Sequence, residues 1–337
     1  MENTFWIWYP GDFELYHAMK QNFSRVERGF GWPAFWKSEG FRNRVAFRRT
    51  YELEQETSFT VFSNAIGHVL VTWENREKKY PFGKKITVAP GRVRISIHAG
   101  CVEAFPCAYV QGEVIHSDKT WKAEDYSQPL VPVGVCKYST KPGQNPTVWE
   151  YTEKECKPVK ISEINGGVLA EFETELTAAV YVKSKRSNCV DSTSEDEDLE
   201  VLCGESEDEA LDLEHCYYSW QPNPVTNRCP CCAVRFAFIP NCKAEDVEIT
   251  AFYQYVDFPK RASFKCSDQK LNKIWEVAEH TFRLCSGIFF LDGVKRDKWI
   301  WSGDAYQSFF VNQYLLADPD IDQRTLLALR GNDPMTG

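Results

Sequence analysis

Residues 287 to 308 read GIFFLDGVKRDKWIWSGDAYQS, which places three carboxylates, Asp292, Asp297 and Asp304, within 13 residues and beside Lys295, Arg296 and Lys298. Trp299 and Trp301 stand among them. Carboxyl groups at this density can carry out acid–base chemistry. Breaking a glycosidic bond takes one carboxylic acid to protonate the leaving oxygen and one carboxylate to activate water or attack the anomeric carbon. Aromatic faces and charged hydrogen-bond partners hold a sugar ring. Neighbouring Asp side chains raise one another's pKa, which favours a protonated acid. The competing reading is a surface loop whose Asp, Lys and Arg residues form ordinary ion pairs while the tryptophans pack between helices.

Helices must position this segment. Leu271, Ile274, Trp275, Ala278, Phe282 and Cys285 recur at the spacing of an amphipathic helix of about five turns, with Ser267 available as its N-cap and Asp268 in its first turn. A second helix is predicted from Ser302 to about Ala317, where Asp318-Pro319 breaks it, and a third from near Ile321 towards Leu329. A loop between two helices can aim its side chains into one pocket. Three helices cannot cover their own apolar faces, so those faces are expected to stay exposed and to promote association.

Everything upstream reads as β-structure. To about residue 135 the chain has short β-branched and aromatic runs, SFTVFSN, HVLVTW and RVRISIH, punctuated by Gly, Pro and Asn. Residues 168 to 183, 233 to 240 and 246 to 256 alternate apolar and polar side chains at period two, as strands of a second sandwich do. Residues 187 to 227 carry 12 of the 48 acids with no Lys or Arg, and are expected to be a mobile acidic insertion. The fold class is therefore two N-terminal β-sandwich domains, 1–135 and 136–265, followed by an α-helical segment, 266–337.

At the acidic loop the chain resembles the α-L-rhamnosidases of glycoside hydrolase family 78. Their catalytic loop has an Asp, three residues, Arg, an acidic and a basic residue, then Trp-x-Gly-Asp. Here those positions are Asp292, Arg296, Asp297, Lys298, Trp301, Gly303 and Asp304. The preceding SDQKLNKIWEVAEHTFRLC looks like the first helix of that family's (α/α)6 six-hairpin barrel, and the β-rich part resembles its jelly-roll-like sandwich modules. The resemblance implies that Asp297 is the general acid. It implies equally that Asp292, Arg296, Trp301 and Asp304 bind the rhamnose hydroxyls of an oligosaccharide or glycoside. The family usually carries Glu at the acid position, so Asp297 is one methylene shorter, about 1.5 Å of reach. Its mechanism is inverting, which takes a general base about 6.5 to 9.5 Å from the acid. That base is expected beyond Gly337, so the 337-residue chain is expected to be inactive alone. The alternative is a non-catalytic carbohydrate-binding or vestigial truncated protein.

The remaining features narrow the function further. Net charge is −9, and outside residues 187 to 227 the chain stands at +3, without the basic face that nucleic-acid binding needs. No run of 18 or more apolar residues occurs, so no membrane partner is expected. Thirteen cysteines without a secretion signal point to reduced thiols and a cytoplasmic location. Cys229, Cys231, Cys232 and Cys242 lack the paired C-x2-C knuckles of a zinc site and are expected as buried or free thiols, with no metal or cofactor. The segment 112 to 125 and Trp6, Trp8, Trp32 and Trp36 resemble a sugar-stacking module, although tryptophans of such a domain also fill its core. The six histidines lack metalloprotease spacing, and no phosphate-binding loop, nucleophile elbow or dinucleotide fingerprint occurs in a suitable context.

Overall fold

The computed structural model describes residues 4–23, 41–74, 76–127, 129–185, 199–295 and 297–331. Its sheets are antiparallel, and five helices accompany them among the described residues. The first unit contains β1 (Ile7–Trp8), α1 (Asp12–Phe23), β2 (Arg44–Leu53), β3 (Thr57–Ser63), β4 (Ile66–Trp73), β5 (Arg76–Tyr80), β6 (Lys85–Val88), β7 (Gly91–Gly100), β8 (Cys107–Gly112), β9 (Lys122–Glu124), β10 (Val131–Pro132) and β11 (Gly134–Val135). One sheet runs β11-β1-β8-β3-β6 and the other β10-β9-β2-β7-β4-β5.

Alternation in the sequence explains why these sheets face each other. On β7, Val93, Ile95, Ile97 and Ala99 point into the core while Arg92 and Arg94 are exposed. Phe47, Val69 and Val71 join them from the same sheet, and Phe59, Val61, Ile86 and Val110 close the sandwich from the other. Each such side chain contributes about 1.5–3 kcal/mol on burial.

Helix α1 departs from the all-β reading of this region. Its sequence DFELYHAMKQNF lacks β-branched residues, and Phe13, Leu15 and Ala18 supply a buried face. Phe13 stacks on Trp8 with ring centroids 4.8 Å apart. Trp6 and Trp8 are buried among Phe13, Phe105 and Tyr109, so they pack the interior and cannot stack a sugar. Trp32 and Trp36 lie outside the described residues.

The second β-unit has β12 (Thr152–Cys156), β13 (Lys160–Ile164), β14 (Gly167–Ser184), β15 (Val201–Gly204), α2 (Glu207–Leu211), β16 (Tyr218–Trp220), β17 (Cys232–Pro240) and β18 (Val247–Tyr255). They form one sheet in the order β12-β18-β14-β17-β15-β16, with β13 alongside β14. Register puts Val168 opposite Ile239, Ala170 opposite Ala237 and Val180 opposite Ala251, so one face carries a continuous core that includes Cys203, Cys229, Cys232 and Cys242. The opposite face packs Leu169, Leu202, Phe236 and Phe238 beneath Ala210 of α2. Twelve cysteines among the described residues are free thiols.

The expectation of a mobile acidic insertion over 187–227 needs correction for 199–227, while 187–198 lie outside the described residues. Val201, Leu202 and Cys203 are buried in β15, Tyr218 is buried in β16, and α2 is capped by the Ser206 side chain, which accepts from the Glu209 amide. Apolar VLC and aromatic YYSW runs inside the acidic stretch add enough buried area to order it.

The last elements are α3 (Gln269–Leu284), α4 (Ser302–Leu315) and α5 (Pro319–Arg330). Asp268, not Ser267, caps α3, accepting from the amides of Lys270 and Leu271. Asp318 caps α5 with Pro319 at its first position. Trp275 and Phe282 lean on a cluster of Val256, Phe258, Phe290, Leu315 and Ile321. Leu271, Ile274 and Val277 on α3 and Tyr306, Phe310 and Tyr314 on α4 remain exposed. Ala18 of α1 meets Ala328 of α5, with Phe289 and Ile300 between them, which joins the two ends of the described chain. No described helix is long and apolar enough to cross a membrane.

Candidate functional site

The loop between α3 and α4 is held from both sides by apolar anchors. Phe289, Phe290, Trp299 and Ile300 are all buried. The Phe290 amide donates to Thr325 Oγ1 at 3.1 Å and Arg324 Nε donates to the Ile288 carbonyl at 2.8 Å, which fastens the loop to α5. Within it, the Asp292 amide donates to the Trp299 carbonyl at 3.0 Å, and the Trp299 amide donates to Asp292 Oδ1 at 2.9 Å. This double clasp ties the two ends of the loop together at Asp292 and Trp299.

Asp292 is half-buried. Burial is the main cause that holds its carboxyl above the usual carboxylate range; hydrogen bonds from the Trp299 and Gly293 amides pull it down, and the charges of Asp297 and Asp304 push it up. The loop therefore brings the three predicted carboxylates into one electrostatic neighbourhood. Asp297 Oδ2 accepts from the Trp301 indole Nε1 at 3.1 Å, which sets the orientation of that carboxylate. Trp301 occupies the N-cap position of α4, and Asp304 lies exposed in its first turn, where the helix dipole favours a negative charge. Arg296 lies outside the described residues. Trp299 is a packing residue, as the ion-pair reading of this loop anticipated for the tryptophans.

A second feature is absent from the sequence reading. A cleft of about 360 Å³ opens where the loop meets the seven-stranded sheet. Tyr218 and Trp220 of β16, Gln254 and Tyr255 of β18, Arg283 of α3, and Lys295 and Lys298 of the loop line it. Asp292, Asp297 and Asp304 do not. The Tyr218 hydroxyl donates to the Lys295 carbonyl at 2.9 Å, and Gln21 of α1 donates to the Lys298 carbonyl at 3.1 Å, so both β-units brace the loop.

Lys295 is held by the acidic segment: its ammonium lies 3.1 Å from Glu205 and 2.5 Å from Glu209. Its own pKa is raised by these partners in spite of burial. Behind them Glu175, at the β14 irregularity, has its carboxyl pushed up by burial and by a hydrogen bond with Glu205. The only hint of this cluster in the sequence is the coincidence of a base-rich loop with an acid-rich segment.

No protein-family model matches the chain, and no curated protein matches it. Among solved structures it is similar to the Streptomyces avermitilis α-L-rhamnosidase complexed with L-rhamnose, at 12% identity over 90% of this chain and 39% of that one, with a TM-score of 0.39. The native Aspergillus terreus α-L-rhamnosidase gives 12% identity, 89% and 43% coverage and a TM-score of 0.37. The Dictyoglumus thermophilum α-L-rhamnosidase gives 12%, 81% and 39%, with a TM-score of 0.35. The chain spans about two fifths of the length of these rhamnosidase structures.

Proposed function

We propose that the 292–304 loop is the acid-bearing part of a glycosidase site of the α-L-rhamnosidase type, and that α3, α4 and α5 are the opening helices of an (α/α)6 barrel around it. Asp297 protonates the leaving glycosidic oxygen, and Asp292, Arg296, Trp301 and Asp304 bind the hydroxyls of a terminal L-rhamnose. The observation that carries this reading is the presence of three carboxylates on one clasped loop, with Asp297 oriented by the Trp301 indole. The motif match at seven positions supports the choice of sugar. The base of an inverting pair is expected from residues other than those described.

The test combines hydrolysis of p-nitrophenyl α-L-rhamnoside with calorimetric titration of L-rhamnose. Asp297→Asn should lower any hydrolysis by about 10²- to 10⁴-fold while leaving sugar binding largely intact. Asp292→Asn and Asp304→Asn should weaken sugar binding. Binding without hydrolysis would favour a non-catalytic carbohydrate-binding protein. Absence of both would remove the sugar reading of this loop.

A further inference from the structure

The cleft beside the loop has a chemical character opposite to that of the acidic loop. Among the described residues its lining includes three cations, Arg283, Lys295 and Lys298, and no Asp or Glu. Two of the three are already compensated. Arg283 pairs with Glu279 at 3.2 Å and donates to the Phe258 carbonyl at 3.1 Å, and Lys295 is held between Glu205 and Glu209.

Lys298 differs from both. It has no carboxylate partner within ion-pair distance among the described residues, and its ammonium stands 5.5 Å from the centroid of the Tyr218 ring. Its backbone adopts φ +46°, a left-handed conformation that non-glycine residues rarely take. A half-buried ammonium with no ion-pair partner among the described residues, at the wall of a cavity, favours an anionic occupant, because Coulomb attraction is stronger where water is partly excluded.

The rest of the wall suits a hydroxylated ring. Trp220 and Tyr255 present aromatic surface, and Gln254 adds an amide that can donate and accept. Trp220 Nε1 and Thr177 Oγ1 are buried at this wall with no hydrogen-bond partner among the described residues. Both atoms lie beneath the accessible surface, so the wall's contacts to an occupant come from the rings of Trp220 and Tyr255 and from the Gln254 amide. A volume of about 360 Å³ accommodates one or two sugar rings.

We propose that this cleft binds a carboxylated sugar, a hexuronate residue of a glycan, with its carboxylate at Lys298 and its ring against Trp220 and Tyr255. The site is separate from the acidic loop, and its test does not depend on whether that loop hydrolyses anything. D-Glucuronate and D-glucose differ only at C6, where one has a carboxylate and the other a hydroxymethyl group. Titration calorimetry should show glucuronate binding about tenfold or more tightly than glucose, the effect of one charge-assisted hydrogen bond.

Lys298→Asn removes the charge while tolerating the left-handed backbone and should abolish that preference; Lys298→Arg should keep most of it. Raising ionic strength from about 10 mM to about 150 mM should weaken glucuronate binding by the wild type and leave glucose unchanged, a readout that needs no variant. Equal affinity for the two sugars, no binding of either, or a preference that survives in Lys298→Asn would overturn the assignment.

Discussion

Replacing Glu14 by Gln should make the protein gain stability, relative to wild type, as the pH rises from about 5 to about 8. Glu14 lies in the first turn of α1, is 5% exposed, and has an Oε2 without a hydrogen-bond partner among the described residues. Burial raises its carboxyl from 4.5 to about 7; backbone hydrogen bonds and Arg324 oppose the rise, and Asp12 adds to it. Between those two values the folded chain retains a proton that the unfolded chain has released. Stability therefore falls as the pH rises through this window and is level above it. A displacement of about 2.5 pH units at about 1.4 kcal/mol each corresponds to roughly 3 kcal/mol.

Glutamine has no such titration. Its amide meets the same unpartnered position at a cost of about 1–3 kcal/mol, and this cost does not change with pH. The difference between variant and wild type therefore isolates the carboxyl. His17, on the same helix, is lowered by burial from 6.5 to about 4 and removes stability as the pH falls between those values, but it does so in both proteins and cancels. Thermal unfolding followed by circular dichroism at constant ionic strength should show the gap in Tm widening by about 6–12 °C across the range, at about 2–4 °C per kcal/mol. Parallel Tm curves for the two proteins would refute the reasoning, because they would mean that Glu14 is ionised at the same pH in both states.

Two further substitutions test the packing that positions the loop. Asp318, 1% exposed, caps α5 and accepts from Lys137 at 2.6 Å and from the Tyr138 hydroxyl at 3.0 Å. Asp318→Ala removes the cap and both partners and should cost about 2–4 kcal/mol, measured by urea denaturation. The wild-type carboxyl is held below its ordinary range by Lys137 in spite of burial, so its contribution is present near neutrality and fades on acidification. Gly134→Ala would place a Cβ 2.4 Å from the Trp8 indole nitrogen on the neighbouring strand. Overpacking of about 1–3 kcal/mol is expected, visible as a lower Tm and faster amide exchange around β1 and β11; an unchanged Tm would show that Trp8 is free to move.

Much of the architecture was legible. Period-two alternation marked β14, β17 and β18, and the i, i+3, i+4 recurrence marked α3, because side-chain direction repeats within a few residues of backbone. Asp318-Pro319 marked the break between α4 and α5 for an equally local reason. Helix α1 was missed because its apolar residues include aromatics that also suit strands, and its helical preference is weak without the α5 face against which Ala18 packs. The acidic segment was misread over 199–227 because net charge hid two short apolar runs that pair with β17 and with each other.

The candidate loop divides in the same way. The types and spacing of Asp292, Asp297, Trp301 and Asp304 are properties of 13 consecutive residues, and the chain alone shows that they can converge. Which carboxyl is driven towards its neutral form depends on desolvation and on the Trp299 clasp, and only the packed loop decides it in favour of Asp292. The cleft lies further still from the sequence. Trp220, Gln254 and Lys298 come from three separate stretches of chain, and among the described residues Glu205 and Glu209 pair with Lys295 while Lys298 has no ion-pair partner. Strand order and loop docking govern such convergence through long-range contacts, which no local periodicity encodes.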